Sequence, residues 1–367
     1  WCDCSKEELD KMRMEQEAAG KKPMYDGRSR NLGLKQSENT VLRLATPETG
    51  EIVVNDLIRG KITFNNSELD DLILLRSDGT PTYHLCNVVD DFEQKVTTVI
   101  RGEDHLSNTP RQIHIQNALQ YPPLEYAHLP LVLGPDKKRL SKRHDATGLE
   151  EYQSEGYLDS AILNTLARLG WSKGDQEVFY MDDLIKNFNL DDIQKAGAVF
   201  DRSKLDWLNS QHLANLTLSE IKDHLRPYLI DLSIDIDNHL KVDLLIDAMR
   251  SSANTLKGIA VDLVPYYKNV TEYNENAVSK FIDEEGLKIL KDLRLELSEL
   301  ELWDVESLDK ILVDYQRDNN CPVPKVNQPI RIALTGSTKS PSLGLTLSLY
   351  EKEDAINRID ALISYIT

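Results

Sequence analysis

At 367 residues the chain is long enough for two or three domains, each with its own core. Apolar content of 40% and charged content of 28% describe a globular protein, and a net charge of −18 excludes one that coats nucleic acid by bulk charge, though not a local basic groove. No apolar run approaches bilayer length, no apolar leader opens the chain, and four cysteines, two of them one residue apart, do not make a disulfide framework. The reading is a cytoplasmic protein with no membrane partner.

Leu9, Met12 and Gln16 sit at helical spacing within 5–19, and Gly20 ends the pattern. Residues 20–40, rich in Gly, Lys, Arg, Ser and Asn, predict a loop. From 41 to 75 the runs TVLRLA, GEIVVNDLI, KITF and DDLILL alternate with turn signals, as in a small mixed α/β unit. Beyond Gly79-Thr80-Pro81, the short apolar runs LCNVV (85–89), VTTVIR (96–101) and LPLVL (129–133) predict buried parallel strands. Between the last two, SNTPRQIHIQNALQ predicts a helix with Thr109 as N-cap and Pro110 in its first turn. Strand, helix, strand and loop is a βα pattern, in which ligands collect at the carboxyl ends of strands.

The loop after the last of these strands reads KKRLSKRHD (137–145), with five basic residues among the seven from Lys137 to Arg143. An isolated basic cluster is most often a solvated turn. A cluster that follows an apolar strand and Gly134-Pro135 suits a polyanion instead, above all a triphosphate, with Lys as a mobile point charge and Arg as a fork for paired oxygens. Further on, YLDSAILNTLARLGW predicts an amphipathic helix whose face carries Leu158, Ala161, Ile162, Leu166 and Leu169. From about 180 to 315 the period is helical almost throughout. IRIALTG (330–336) predicts one more β piece, and a helix closes the chain from about 351 to 366.

Six segments, in order, resemble one family. RLSKR (139–143) and the sequence after it resemble the second signature of bacterial glutamyl-tRNA synthetases, a variant of the class I KMSKS loop. PTYHLCNVVDDF (81–92) and VIRGEDHLSNTPRQI (99–113) are similar to that family's amino-acid and nucleotide segments. AVFDRSKLDWLN (198–209) and RIALTGSTKSPSL (331–343) are similar to its C-terminal half. CDCSKEEL and KPMYDGRSRN are similar to its insertion domain. A five-residue match alone would be weak; ordered matches along the whole chain are specific.

The resemblance implies a multidomain α/β plus all-α fold: an insertion domain at 1–78, the C-terminal half of a class I Rossmann fold at 79–145, a stem-contact region at 146–215 and a helical anticodon-binding domain at 216–367. It implies an enzyme that joins L-glutamate to ATP as glutamyl-adenylate and then esterifies tRNA-Glu, with tRNA-Gln left open as a second acceptor. The cofactor set it implies is ATP with Mg2+. Lys142 would be the catalytic cation on the ATP phosphates, assisted by Arg139 and Arg143, with Ser141 shaping the loop and Asp104 at the nucleotide. Tyr83, Asn87 and Arg101 would contact glutamate. Asp90 and Asp91 invite a metal reading, but adjacent carboxylates alone more often solvate or cap.

Two departures qualify the resemblance. None of the eight histidines sits in an HxGH frame, so the first class I signature is missing, and Trp1 at the start implies residues upstream; on that reading the chain alone binds tRNA without charging it. At the zinc knuckle of some family members Cys2 and Cys4 remain, but Ser29 and Asn31 stand at the other two ligand positions, so no metal is expected there. The alternatives are a paralogue charging another acceptor and a non-catalytic tRNA-binding or regulatory protein derived from the synthetase. The helical C-terminal region speaks against the short form that modifies a tRNA base, and the absence of a closing β-barrel pattern against the glutaminyl relatives.

Overall fold

A computed structural model describes residues 1–141, 148–237, 241–250 and 253–367. The chain forms two compact units, Trp1–His144 with Ala167–Glu177 and Met181–Phe200, and Asp145–Leu166 with Val178–Tyr180 and Asp201–Thr367.

In the first unit α1 (Lys6–Ala18) is set by a capping box, in which Ser5 and Glu8 satisfy each other's exposed backbone N–H groups. β1 (Leu42–Arg43) will pair with β4, a short strand further on. β2 (Glu51–Asp56) buries Ile52, Val54 and Asp56 on one face while Glu51, Val53 and Asn55 face out, the two-residue period of a half-buried strand. β3 (Gly60–Asn65) pairs antiparallel with it, from Glu51 opposite Asn65 to Asp56 opposite Gly60. The turn between them is held by the Asp56 carboxylate, which accepts from the backbone N–H groups of Ile58 (3.0 Å) and Arg59 (2.8 Å).

β4 (Ile73–Leu75) is antiparallel to β1. α2 (Tyr83–Glu93) then takes the place of the strand expected at 85–89. A short apolar run does not distinguish strand from buried helix; here Leu85 and Val88 turn one helical face to the core with Ile115, Leu44 and Leu72. The consequence is functional, because Tyr83 and Asn87, four residues apart, now share one face of a helix.

β5 (Thr98–Gly102) leads through a 3₁₀ turn, Glu103–Asn108, into α3 (Thr109–Leu119). Thr109 is thus the first helical residue rather than the cap, and its hydroxyl is engaged elsewhere, by Arg101 and His128. β6 (Glu125–Leu129) returns parallel to β5. The strand expected at 129–133 is split by Pro130, which cannot donate to a ladder: β6 ends at Leu129 and β7 is Val132–Leu133. The four-stranded sheet has the order β3-β2-β6-β5 and so joins residues on both sides of position 78. Ile52, Val54 and Tyr126 form its core, with Phe64, Val99 and Ile113 against them.

β7 pairs in parallel with β8 (Ala198–Val199). Gly197 permits the approach, since a methyl group there would lie 2.9 Å from the Leu131 carbonyl oxygen.

The second unit is helical. Asp201, Thr217, Thr255, Asn274, Asp283 and Asp304 each accept a backbone N–H at the start of a helix, at Arg202–Asn215, Leu218–Asp231, Leu256–Tyr267, Glu275–Phe281, Glu284–Glu299 and Val305–Asp318. Their apolar faces close on one large core with Leu225, Leu245, Leu263, Leu293, Leu312 and Ile330 at its centre. The β piece expected at 330–336 is the second half of a helix, Val323–Thr335. Its β-branched residues fit the helix because Val326, Ile330, Ala333 and Leu334 fall on one buried face. Gly336, left-handed at φ +72°, stops it, and Lys352–Ile366 closes the chain as expected.

The helix expected at 157–171 is Asp159–Arg168, but its buried face is Ala161, Asn164 and Thr165, and Leu166 is half exposed. Asn164 displaces the expected leucine because its side-chain oxygen accepts from the Phe179 N–H (2.8 Å) and lies 3.1 Å from His212 Nε2.

Candidate functional site

The parallel register of β5 and β6 sets Arg101 beside His128 at the carboxyl ends of the two strands. Arg101 Nε donates to His128 Nε2 (3.1 Å) and Nη2 donates to Thr109 Oγ1 (2.9 Å). The ring of Tyr126 lies 5.8 Å below the guanidinium. Burial pulls the Arg101 guanidinium below its ordinary value, against the opposing pull of Tyr126, Tyr83 and Asp91. Among the described residues no carboxylate forms an ion pair with it. A half-buried cation without an ion-paired carboxylate is costly unless a ligand supplies one.

Of the residues expected at an amino-acid pocket, Tyr83 lies within electrostatic reach of this guanidinium. Tyr83, half exposed, begins α2, its ring 6.4 Å from that of His105. Asn87, one turn later, accepts through Oδ1 from Gln112 Nε2 of α3 (2.7 Å), which leaves its amide N–H groups for other partners. Burial raises the Asp91 carboxyl, with Arg101 opposing. Gln112, buried on α3, was not picked out in the sequence; nothing marks a lone Gln within an amphipathic helix.

The basic loop leaves β7 as a tight hairpin. Gly134 N–H donates to the Lys138 carbonyl (2.8 Å), Leu140 N–H to the Val132 carbonyl (2.8 Å), and Arg139 bridges back to Leu133. Arg139 reaches Asp104 of the 3₁₀ turn at 2.9 Å. Two residues named from opposite segments of the sequence are therefore brought together. Behind them Glu103 pairs with Arg59 and accepts from the Leu131 N–H (3.1 Å), fixing the start of β7 to the end of β5. Ser141 is exposed, while Lys142 and Arg143 lie outside the described residues.

The cysteine pair belongs to a separate cluster. Cys4 Sγ lies 3.6 Å from Ser29 Oγ, and the Tyr25 hydroxyl accepts from the Ser29 N–H (3.0 Å). Burial raises the Cys2 thiol, but hydrogen bonds from Tyr25, Ser29 and Arg43 outweigh it and bring Cys2 down to about 6. Asn31 is exposed. Two thiols, a hydroxyl and an amide do not fit the four thiolate or imidazole donors that structural zinc requires. Among the described residues no group of three His, Cys, Asp or Glu side chains is gathered for a metal. Elemental analysis should find no stoichiometric zinc, and Cys4→Ala should release none; one zinc per chain lost with that substitution would overturn the assignment.

A polar cavity of about 460 Å³ lies within the helical unit. Tyr266 and Asp262 form one wall and the loop Ser337–Ser340 the other. Arg331 anchors this loop, donating to Ser340 Oγ (2.7 Å) and the Pro341 carbonyl (3.2 Å). Burial raises the Asp262 carboxyl, with Lys339 opposing. No described helix is long and apolar enough to cross a membrane.

Comparison with known proteins decides what this arrangement belongs to. Residues 1–207 match the family model for the class I tRNA synthetase catalytic domain (E and Q), and residues 220–363 match the anticodon binding domain. The chain is 41% identical over 370 residues to glutamate–tRNA ligase 2 of Halorhodospira halophila, an alignment that covers 100% of this chain and 78% of the relative. The chain belongs to the glutamate–tRNA ligase family. It is 42% identical to the glutamate–tRNA ligase of Thermodesulfovibrio yellowstonii, covering 99% of this chain and 79% of that one. A crystal structure of a glutamate tRNA ligase from Elizabethkingia meningosepticum in complex with its amino acid is similar at a TM-score of 0.82 and 30% identity, over 100% of this chain and 79% of the other. The expected fold, a class I catalytic domain followed by a helical anticodon-binding domain, is the fold of this family.

Proposed function

We propose that the protein activates L-glutamate with ATP and transfers it to the 3′ end of tRNA-Glu. In the first step an α-carboxylate oxygen of glutamate attacks the α-phosphorus, the bond to pyrophosphate breaks and glutamyl-adenylate forms. In the second a terminal ribose hydroxyl of tRNA displaces AMP from the acyl carbon. No enzyme nucleophile is required, so the protein's work is positioning and stabilisation of phosphate charge. The observation that carries the reading is Arg101, a half-buried guanidinium without an ion-paired carboxylate among the described residues, at the strand ends and within electrostatic reach of Tyr83.

On this reading Tyr83, Asn87 and Arg101 bind glutamate, while Asp104 and Arg139 frame the nucleotide. Ser141, Lys142 and Arg143 complete the loop over the phosphates, and Mg2+ arrives with those phosphates. We assign the acceptor-end grip to residues 1–78 and anticodon contacts to residues 216–367. The cavity between Tyr266 and Ser337–Ser340 supports the latter, because it offers an aromatic wall and several hydroxyl groups to a base.

In the protein assayed with tRNA, Lys142→Ala should slow glutamate-dependent ATP–pyrophosphate exchange about 10²–10³-fold, the effect of losing one charge stabiliser. Its thermal midpoint should barely move, since a basic loop adds little to folding. Near-normal exchange would remove Lys142 from the mechanism.

A further inference from the structure

Asp56 and His128 lie directly behind Arg101 and are fully buried, with side-chain exposures of 0% each. His128 Nδ1 is 2.6 Å from Asp56 Oδ2, and the His128 backbone N–H also donates to that carboxylate, at 3.2 and 3.1 Å to its two oxygens. The other ring nitrogen, Nε2, faces Arg101 Nε at 3.1 Å and Thr109 Oγ1 at 3.1 Å.

The chemistry of the partners settles the proton. A guanidinium can only donate, so Nε2 must present a lone pair. The Thr109 oxygen already accepts from Arg101 Nη2, so its own hydrogen is free to point the same way. Nδ1 therefore carries the hydrogen and gives it to Asp56, an acceptor-only carboxylate. Burial is the largest influence on the imidazole and opposes a second proton. Arg101 from β5 and Arg59 from the turn after β2 oppose it too, against Asp56 from β2. Asp56 itself is held below the usual carboxylate range; burial opposes this, and the N–H groups of Arg59, His128 and Ile58 together with the imidazole prevail.

A guanidinium has two edges that can take a carboxylate with paired hydrogen bonds. In Arg101 the Nε–Nη2 edge is consumed by His128 and Thr109, which leaves the Nη1–Nη2 end. We propose that Asp56 and His128 are positioning residues that hold Arg101, through an imidazole protonated at Nδ1, so that only this end meets the substrate carboxylate. The inference rests on the reading of Arg101 as the glutamate-binding arginine. It gives the β2–β3 hairpin a part in amino-acid binding, although its residues are distant in sequence from every segment that touches the site.

Asp56→Asn tests it with little change of shape. The amide oxygen can still accept from Ile58 and Arg59, but the amide nitrogen would donate to Nδ1 and drive the hydrogen to Nε2, where it confronts Arg101. Nitrogen NMR of the imidazole should show His128 protonated at Nδ1 in the wild type and at Nε2 in the variant. L-glutamate affinity, measured by calorimetry, should fall about 10- to 100-fold, as for a misdirected hydrogen bond to a charged group. ATP affinity should stay within about twofold, because the partners of Asp56 are Ile58, Arg59 and His128, none of them assigned to the nucleotide.

His128→Gln, which keeps an acceptor for Arg101, should lose less glutamate affinity than His128→Leu. An Nε2-protonated His128 in the wild type would overturn the proposal, as would unchanged glutamate affinity in folded Asp56→Asn and His128→Leu. If Arg101→Ala weakens glutamate while those two do not, the relay is wrong and the reading of Arg101 stands. If Arg101→Ala itself has no effect, that reading fails first.

Discussion

Arg101→Ala should raise the glutamate KM about 10²–10³-fold while the ATP KM changes by about twofold or less. The removed group is the cation proposed to face the substrate carboxylate, and removing a charge-assisted, paired hydrogen bond from a half-buried site is among the largest single effects in recognition. Arg101→Lys should recover part of the loss. A lysine restores the charge but has one nitrogen with three donors in place of three nitrogens with five, so it cannot satisfy His128 Nε2, Thr109 Oγ1 and both oxygens of a carboxylate together. Thermal unfolding of both variants should stay within a few degrees of wild type, since desolvation of the guanidinium already opposes its contribution to folding. Pyrophosphate exchange against glutamate and ATP concentration checks this; equal glutamate KM values in wild type and Arg101→Ala would contradict the site.

The second large effect is on stability. Gly156 stands at φ +89°, its carbonyl accepting from the Leu256 N–H at 2.9 Å where the helix Leu256–Tyr267 begins. A methyl group at this position would lie 2.3 Å from the Lys257 nitrogen and 2.9 Å from the Leu256 nitrogen. Backbone must move, and the left-handed conformation adds strain of its own. Gly156→Ala should therefore cost roughly 3 kcal/mol or more and lower the melting temperature of the helical unit by about 6–12 °C. Gly174→Ala is the control. It shares the positive φ, at +55°, but has open space around it, so only the strain of about 1 kcal/mol should appear. Calorimetry of both variants separates collision from strain, and equal shifts would mean that the close approach at Gly156 is absent.

The helical period of 5–19 and of 180–315 was legible, but not the helix starts: Thr109, the one cap named in the sequence, is the first helical residue, and the capping boxes at Ser5 with Glu8 and Thr217 with Glu220 were not picked out. Strands β2 and β3 were legible as the β-rich runs GEIVVNDLI and KITF between turn signals, though not their pairing. LCNVV and IRIALTG failed for a shared reason: both are short, apolar and β-branched, and only tertiary packing decides between a strand and one face of a helix. Pro329 within the helix that holds the second run shows how far packing overrode local preference.

Tyr83, Asn87, Arg101 and Asp104 were named in the sequence only through a family resemblance, whereas Arg139 also belonged to the basic loop that charge alone marked for a polyanion. Residue type alone does not separate Arg101 from any other strand-end arginine. Asp56, His128 and Gln112 escaped altogether, because their importance lies in pairings across 72, 27 and 25 positions of sequence. No local pattern carries such a signal.

The central claim is that this protein joins L-glutamate to tRNA, and charging of tRNA-Glu with radiolabelled amino acid tests it most directly. Supplied with ATP, Mg2+ and tRNA-Glu, the protein that carries this chain, with whatever sequence precedes Trp1, should form an ester with L-glutamate, not with L-glutamine or L-aspartate, and release AMP and pyrophosphate in step. Charging with another amino acid in preference to glutamate, or tight binding of tRNA-Glu with no ester formed in the presence of all substrates, would contradict it.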